Sequence, residues 1–229
     1  MNDDRYPMNN KNDTKYRHGS DNLYDSDHLY HPGPLPDLPE EAMLYRFRQG
    51  LPQEAEAIWS ILLDGRRYLS EQGIDQWQKI FPLLSDVQRD IALGHNYVQT
   101  VRYYDHVEKR TKEEIVGTLV LFFQEDPTYS TLREGKWMQD GPYGTMHRVA
   151  IRSEHRGKKL AHKLFYEAYR LCLRQNIHYI RVDTHEGNKP MRSLIEQQGF
   201  HYCGKITVSG GEERLAYEKN LLHERPREA

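Results

Sequence analysis

The turn Arg156-Gly157-Lys158-Lys159 sets three cations around one glycine, between a run that reads as a strand and a run that reads as a helix. A helix N-terminus offers unpaired backbone N–H groups and the positive end of the macrodipole, which together make an anion site. Gly157 allows close backbone approach, and Arg156, Lys158 and Lys159 can reach phosphate oxygens. The composition suits a pyrophosphate, although a merely solvated basic helix start has the same letters. Neither G-x-x-x-x-G-K-[ST] nor G-x-G-x-x-G is present, so this is neither of those phosphate loops. A second set of residues can move protons. His147 lies in the strand before the turn, and Asp183 and His185 end the next strand. An unperturbed histidine titrates close to neutral pH, which suits a general base. Asp183 can orient a histidine or pair with a cation. It can equally hydrogen-bond the following turn with Thr184, leaving His185 a surface residue. No histidines follow H-E-x-x-H or another ligand spacing, so no metal is expected.

The elements that must position these groups can be read from hydrophobic period and punctuation. Leu44–Arg48 predicts a first strand, and Pro52 opens a helix with Ile58, Trp59, Leu62, Leu63 and Leu69 on one side. Gly73–Pro82 breaks the pattern, and Asp86 is expected to cap a short helix reaching about Leu93. Tyr97–Tyr104 and the nearly continuous apolar run Ile115–Phe123 read as strands joined by a charged turn, the second covered on both faces. Tyr143–Ile151 is the next strand, after a loop that carries Trp137. Residues 158–175 place Leu160, Ala161, Leu164, Phe165, Ala168, Leu171 and Cys172 at helical spacing. His178–Val182 is a strand. Asn188 caps a last helix, with Pro190 in its first turn and Gly199 ending it. Phe200–Val208 and Leu215–Leu221 close the sheet around Gly210-Gly211. The expected class is α+β.

The chain of 229 residues carries a net charge of −2 at a pI near 6.6, so no bulk field recruits nucleic acid or anionic membrane. Residues 1–40 hold eight acids and four bases, few aliphatics and no period, and read as a disordered or loosely docked tail. Residues 41–222 form the expected domain and 223–229 a second tail. The polar start, the absence of a long apolar run, and two cysteines without redox spacing predict a reduced cytoplasmic protein.

Two stretches carry a family resemblance. The strand-R-G-x-x-x-A-helix of Arg156–Ala161, followed by N-x-x-M-x-x-L-I-x-x-x-G-F from Asn188 to Phe200, resembles the GNAT acetyltransferase superfamily. The runs IDQWQKIFP, MHRVAI and RVDTHEGNKPM look like a bacterial branch of it. The resemblance spans roughly residues 44–221 in element order and is sharpest over 147–203. It implies the GNAT fold: a mixed central sheet of about seven strands, helices on both faces, and a splayed strand pair that admits acyl-CoA. It implies acetyl-CoA as co-substrate, with Val149, Ala150 and Ile151 along pantetheine and Arg156, Gly157, Lys158, Lys159, Leu160 and Ala161 around the pyrophosphate. Asn188 matches the family's asparagine beside pantetheine. It further implies an N-acetyltransferase that takes a small-molecule or peptide amine by direct attack in a ternary complex, with a homodimer among the possible assemblies. An acyl-CoA-binding sensor on the same fold is the alternative.

Three positions depart from the family pattern. The turn begins with Glu154 and ends with Lys159 where glycine or alanine is usual, and a lysine there is expected to keep a negative φ. The tyrosine that many members place seven residues after the asparagine, as acid for the departing thiolate, is Ile195 here. In such a fold His147, Asp183 and His185 flank the reaction centre, either histidine can be the base, and the N–H of Val149 or Ile151 can donate to the thioester oxygen. Trp77 and Gln78 are the expected wall of the acceptor pocket, with Trp137 as a further candidate and a core role open to either tryptophan.

Overall fold

The computed structural model describes residues 43–79 and 82–222. Both expected tails lie outside the described residues. One seven-stranded sheet runs through the chain in the order β1-β2-β3-β4-β5-β7-β6. Strands β1 (Leu44–Gln49), β2 (Asn96–Asp105), β3 (Arg110–Phe122) and β4 (Gly144–Ile151) form an antiparallel meander. β5 (Tyr179–Thr184) runs parallel to β4, and β7 (Glu213–Asn220) inserts antiparallel between β5 and β6 (His201–Thr207). Helices α1 (Ala55–Glu71) and α2 (Leu84–Ala92) cover one face, where Ile58, Leu62 and Val87 pack with Val98, Ile115 and Ala150. Helices α3 (Leu160–Arg174) and α4 (Lys189–Gln197) cover the other, where Leu164, Phe165, Ala168 and Ile195 pack with Leu119, Met146, Ile180 and Val182. Burial on both faces explains why β3 reads as a continuous apolar run.

Some boundaries differ from the reading of the sequence. Asp86 is not the cap of α2. Its carboxylate sits a turn inside and accepts from the Leu83 N–H at 2.8 Å, so the acid of a capping box supplies the signal. The hairpin after β2 is tighter than its charged letters suggest, because Asp105 Oδ1 accepts from the N–H groups of Val107 and Glu108 and β3 already starts at Arg110. Asn188 caps α4 as expected, its side chain accepting from Met191 N at 3.2 Å, and Gly199 ends it at φ +76°.

Two features of the sheet make the site. β4 and β5 pair only at Gly144–Ile180 and Thr145–Arg181, after which they diverge and leave a slot. β4 also carries a bulge on its other edge. His147 faces Val120 and Ala150 faces Thr118, so Arg148 and Val149 stand opposite Leu119 alone. Arg148 takes φ +53° there, a left-handed conformation that costs a non-glycine residue roughly 1–2 kcal/mol.

Candidate active site

A cavity of about 580 Å³ opens where β4 and β5 diverge. One end is the basic turn. A short 3-10 turn over Ser153–His155 follows β4, and Asp64 of α1 ties it down by accepting from Ser153 N at 2.7 Å and pairing with Arg156 at 3.3 Å. Arg156 also lies over the Tyr68 ring at 4.4 Å. Gly157 takes φ +80°, and a Cβ built there would meet nothing within 4 Å, so the glycine leaves open space toward solvent. Lys159 is the N-cap of α3 at φ +56°, against the expectation of a negative φ. The lysine adopts the left-handed conformation as the chain enters α3, at the position where the resembled turn usually has glycine or alanine. Gly157, Lys159, Leu160 and Ala161 line the cavity, whereas Lys158 is exposed and does not.

Val149, Ala150 and Ile151 line the middle of the slot from β4, opposite Val182 and Thr184 of β5 and Asn188, Met191 and Leu194 at α4. Two buried polar atoms of lining residues have no hydrogen-bond partner among the described residues, Thr184 Oγ1 and His155 Nδ1. His155 is 1% exposed, and burial, then the charge of Lys158, depresses its pKa to about 4, so it is a neutral imidazole. Ile195 is fully buried among the sheet, α3 and α4 residues and does not line the cavity. Its helical position points it into the core, while Met191 and Leu194 of the same helix reach the slot. Ile195→Tyr should therefore overpack the core rather than supply an acid. We expect a loss of about 1–3 kcal/mol, visible as a lower melting temperature.

The other end holds His147. Its Nε2 lies 2.8 Å from Asp126 Oδ2 and its Nδ1 3.6 Å from Asp183 Oδ1. Asp183 accepts in turn from the Tyr129 hydroxyl at 3.1 Å. Burial disfavours the imidazolium, but the hydrogen bond to Asp126 and the charges of Asp183 and Asp126 outweigh it and raise the His147 pKa. Burial raises the Asp183 pKa against the opposing charges of His147 and Arg214. For Asp126 burial is overcome by the His147 hydrogen bond and charge, and its pKa falls. Asp126 thus stays ionised and fixes the ring, which leaves the Nδ1 lone pair of the neutral form facing Asp183 across a gap too long for a good hydrogen bond. No spacing in the sequence links Asp126 to His147. It arrives from the loop after β3, at the N-cap of the 3-10 turn Pro127–Thr131.

His185 does not join this group. Its Nδ1 accepts from Gly187 N at 3.0 Å, its Nε2 lies 3.1 Å from Asp75, and it faces a separate small pocket. Gln78 is also turned away, donating to the Arg66 and Gln76 carbonyls. Its neighbour Gln76 lines the cavity instead and accepts from His185 N and Asn188 Nδ2, both at 3.3 Å. Trp77 is a cavity wall, held at φ +67° with its ring against Gly65 of α1. Trp137 is a structural clamp. With Tyr143 it sandwiches the Arg181 guanidinium, at 4.0 and 3.7 Å, while Arg181 Nε donates to buried Glu218 at 2.7 Å. That clamp fixes the loop from which Asp126 and Tyr129 reach the site.

Among the described residues no group of three or more His, Cys, Asp and Glu side chains is arranged to hold a metal ion, and no helix is long and apolar enough to cross a membrane.

A sheet that splays open beside a basic helix start has known relatives. The model of the Acetyltransferase (GNAT) family matches residues 70–200, more than half of the chain, and the chain belongs to that family of acyltransferases. A GNAT-family acetyltransferase from Streptococcus agalactiae is 30% identical, over 77% of this chain and 95% of its own, with a TM-score of 0.64. A GNAT-family acetyltransferase from Listeria monocytogenes shares the fold at 20% identity and TM-score 0.58, over 77% of this chain and 95% of that one. The PaiA N-acetyltransferase from Thermoplasma acidophilum, solved in complex with coenzyme A, does so at 13% identity and TM-score 0.55, over 77% and 99%. No curated protein matches the chain.

Proposed function

We propose that the protein transfers an acetyl group from acetyl-CoA to a primary amine by direct attack in a ternary complex, with His147 as the base. The observation that carries this reading is the placement of a half-buried His147, flanked by two carboxylates, at one end of a slot whose other end is the Gly157 turn. The residues present fit an acyl-CoA. The head of α3 is open at Gly157 and carries Lys159, and Thr184 Oγ1 and His155 Nδ1 lack partners that a ligand would supply. Val149–Ile151 would lie along the pantetheine arm and Asn188 beside it. When bound, the acyl-CoA supplies an activated thioester. The structural relative solved with coenzyme A agrees with this choice of donor.

Asp183 would draw a cationic amine into place beside His147. Nδ1 then takes the amine proton, because Nε2 is committed to Asp126. With that proton gone the neutral amine nitrogen bonds to the acyl carbon as the carbon–sulfur bond breaks, its electron pair staying on sulfur. The second proton that the nitrogen sheds on becoming an amide passes to the released thiolate or to water. The Val149 N–H, released from the β3 ladder by the bulge, would meet the charge that develops on the thioester oxygen. Ile195 leaves no acid at the usual place, so sulfur departs as the thiolate. A thiolate is a good enough leaving group at neutral pH for this.

The His147 pKa sets the pH dependence. The neutral ring is the base, and its carboxylate neighbours raise the pKa above 6.5. Activity should therefore rise with pH along a limb displaced to the alkaline side of an ordinary histidine. Asp126→Asn removes the largest cause that favours the imidazolium, so the limb should move to lower pH. A limb unmoved by that change would mean His147 is not the titrating base. Calorimetric titration with acetyl-CoA tests the donor assignment. Saturable binding of one molecule per chain is expected, and no binding would end the proposal.

A further inference from the structure

We propose that Asp90 and Arg148 form a positioning pair, whose buried ion contact holds the β4 bulge in the form that presents the Val149 N–H to the acyl donor. This rests on the acyl-CoA reading above. Arg148 stands in the middle of a strand in the left-handed region, at φ +53°, where a residue with a long side chain does not settle without a constraint. The constraint visible in the fold is Asp90. Arg148 Nη1 donates to Asp90 Oδ2, and the two side chains are 9% and 3% exposed. Asp90 sits in the last turn of α2, and its own backbone carbonyl accepts from His95 N at 2.9 Å as the chain enters β2. The pair therefore ties the bulge to a rigid helix, well removed from the basic turn.

The bulge is where this matters. Arg148 and Val149 have no register partners in β3, and both line the cavity, directly after the candidate base. If residue 148 relaxed to an ordinary strand conformation, the extra residue would be taken up in a different bulge geometry and the Val149 peptide would turn toward β3. Its N–H would then serve β3 instead of the slot. A charge pair that only glued α2 to the sheet would not care which backbone conformation residue 148 takes. When that conformation is the whole effect, glycine at position 148 should replace the pair.

The test compares Asp90→Asn/Arg148→Ala with Asp90→Asn/Arg148→Gly in the full chain. Both lose the ion pair without stranding a buried charge, and only the glycine variant adopts positive φ freely. The probe is acetyl-CoA labelled with ¹³C at the carbonyl, whose resonance and stretching frequency report polarisation of the oxygen when bound. The wild type and the glycine variant should show the displaced carbonyl signal. The alanine variant should bind acetyl-CoA with little change in affinity but return the signal toward that of the free thioester. Its acceptor-independent hydrolysis of acetyl-CoA should fall by about 10²-fold, as for the loss of one oxyanion donor. Equal carbonyl signals in the two variants would overturn the proposal. If the alanine variant does not fold, Arg148→Gln, which keeps more of the buried volume, takes its place. A wild type that binds no acetyl-CoA would refute the donor assignment instead, so the two failures can be told apart.

Discussion

Gly157→Glu should weaken acetyl-CoA binding by several orders of magnitude while the domain stays folded. The space around the turn allows the substitution, because a Cβ at this position meets nothing within 4 Å. The backbone does not welcome it, since φ is +80°, but the strain falls on an exposed turn and costs only about 1 kcal/mol. The large effect is electrostatic. A carboxylate would sit among the unpaired N–H groups of the first turn of α3 and beside Lys159, where the pyrophosphate is proposed to lie. Losing two or three charge-assisted contacts at roughly 1.5–3 kcal/mol each corresponds to a loss of about 10²–10⁶ in affinity. Gly157→Ala separates the causes, since it carries the backbone strain without the charge and should lose far less. Wild-type affinity in a folded glutamate variant would place the pyrophosphate elsewhere.

His147→Gln should lower turnover by about 10²–10⁴-fold, the range expected for loss of a positioned general base. Glutamine can keep a hydrogen bond to Asp126, but its amide does not accept a proton near neutral pH. Acetyl-CoA affinity should barely change, because the proposed CoA contacts come from the turn and the β4 backbone. The acid limb of the pH profile should vanish with the histidine. His185→Gln is the matched control. With that ring committed to Gly187 N and Asp75, outside the cavity, we expect near wild-type turnover. Full activity in the His147 variant with an unchanged pH profile would remove it from the mechanism.

The parts of the site that are legible in the sequence are those whose signal is local. The strand, turn and helix around Gly157 announce themselves through a change of hydrophobic period and a cluster of cations, and Asn188 through its capping position before Pro190. His147 stands out as a histidine inside an apolar strand. The rest depends on long-range packing. Asp126 lies 21 residues before His147 in a loop without period, and long-range contacts bring that loop over the sheet: the Arg181 clamp on Trp137 and Tyr143, and the bridge from Arg133 to Lys205 of β6. Gln76 and not Gln78 reaches the slot, and because residues 72–79 are irregular no alternation says which side chain faces it. His185 is equivalent to His147 by chemistry, but a hydrogen bond within its own turn directs it away. Lys159 and Arg148 show the same limit in the backbone. Both hold positive φ, which their residue types do not advertise. The sequence shows that position 195 lacks an acid, whereas its direction into the core follows from the packing of α4.

Whether the carboxylate-flanked histidine and the basic turn belong to one reaction is measured most directly by release of thiol from acetyl-CoA, followed continuously while a panel of primary amines is added to the full-length protein. At least one amine should produce saturable thiol release, in step with a product heavier by one acetyl group, at a rate that Gly157→Glu and His147→Gln each depress. Tight acetyl-CoA binding with no amine-dependent release across small amines, amino acids, polyamines, aminoglycosides and peptide N-termini would contradict it, and would leave the fold as an acyl-CoA-binding sensor.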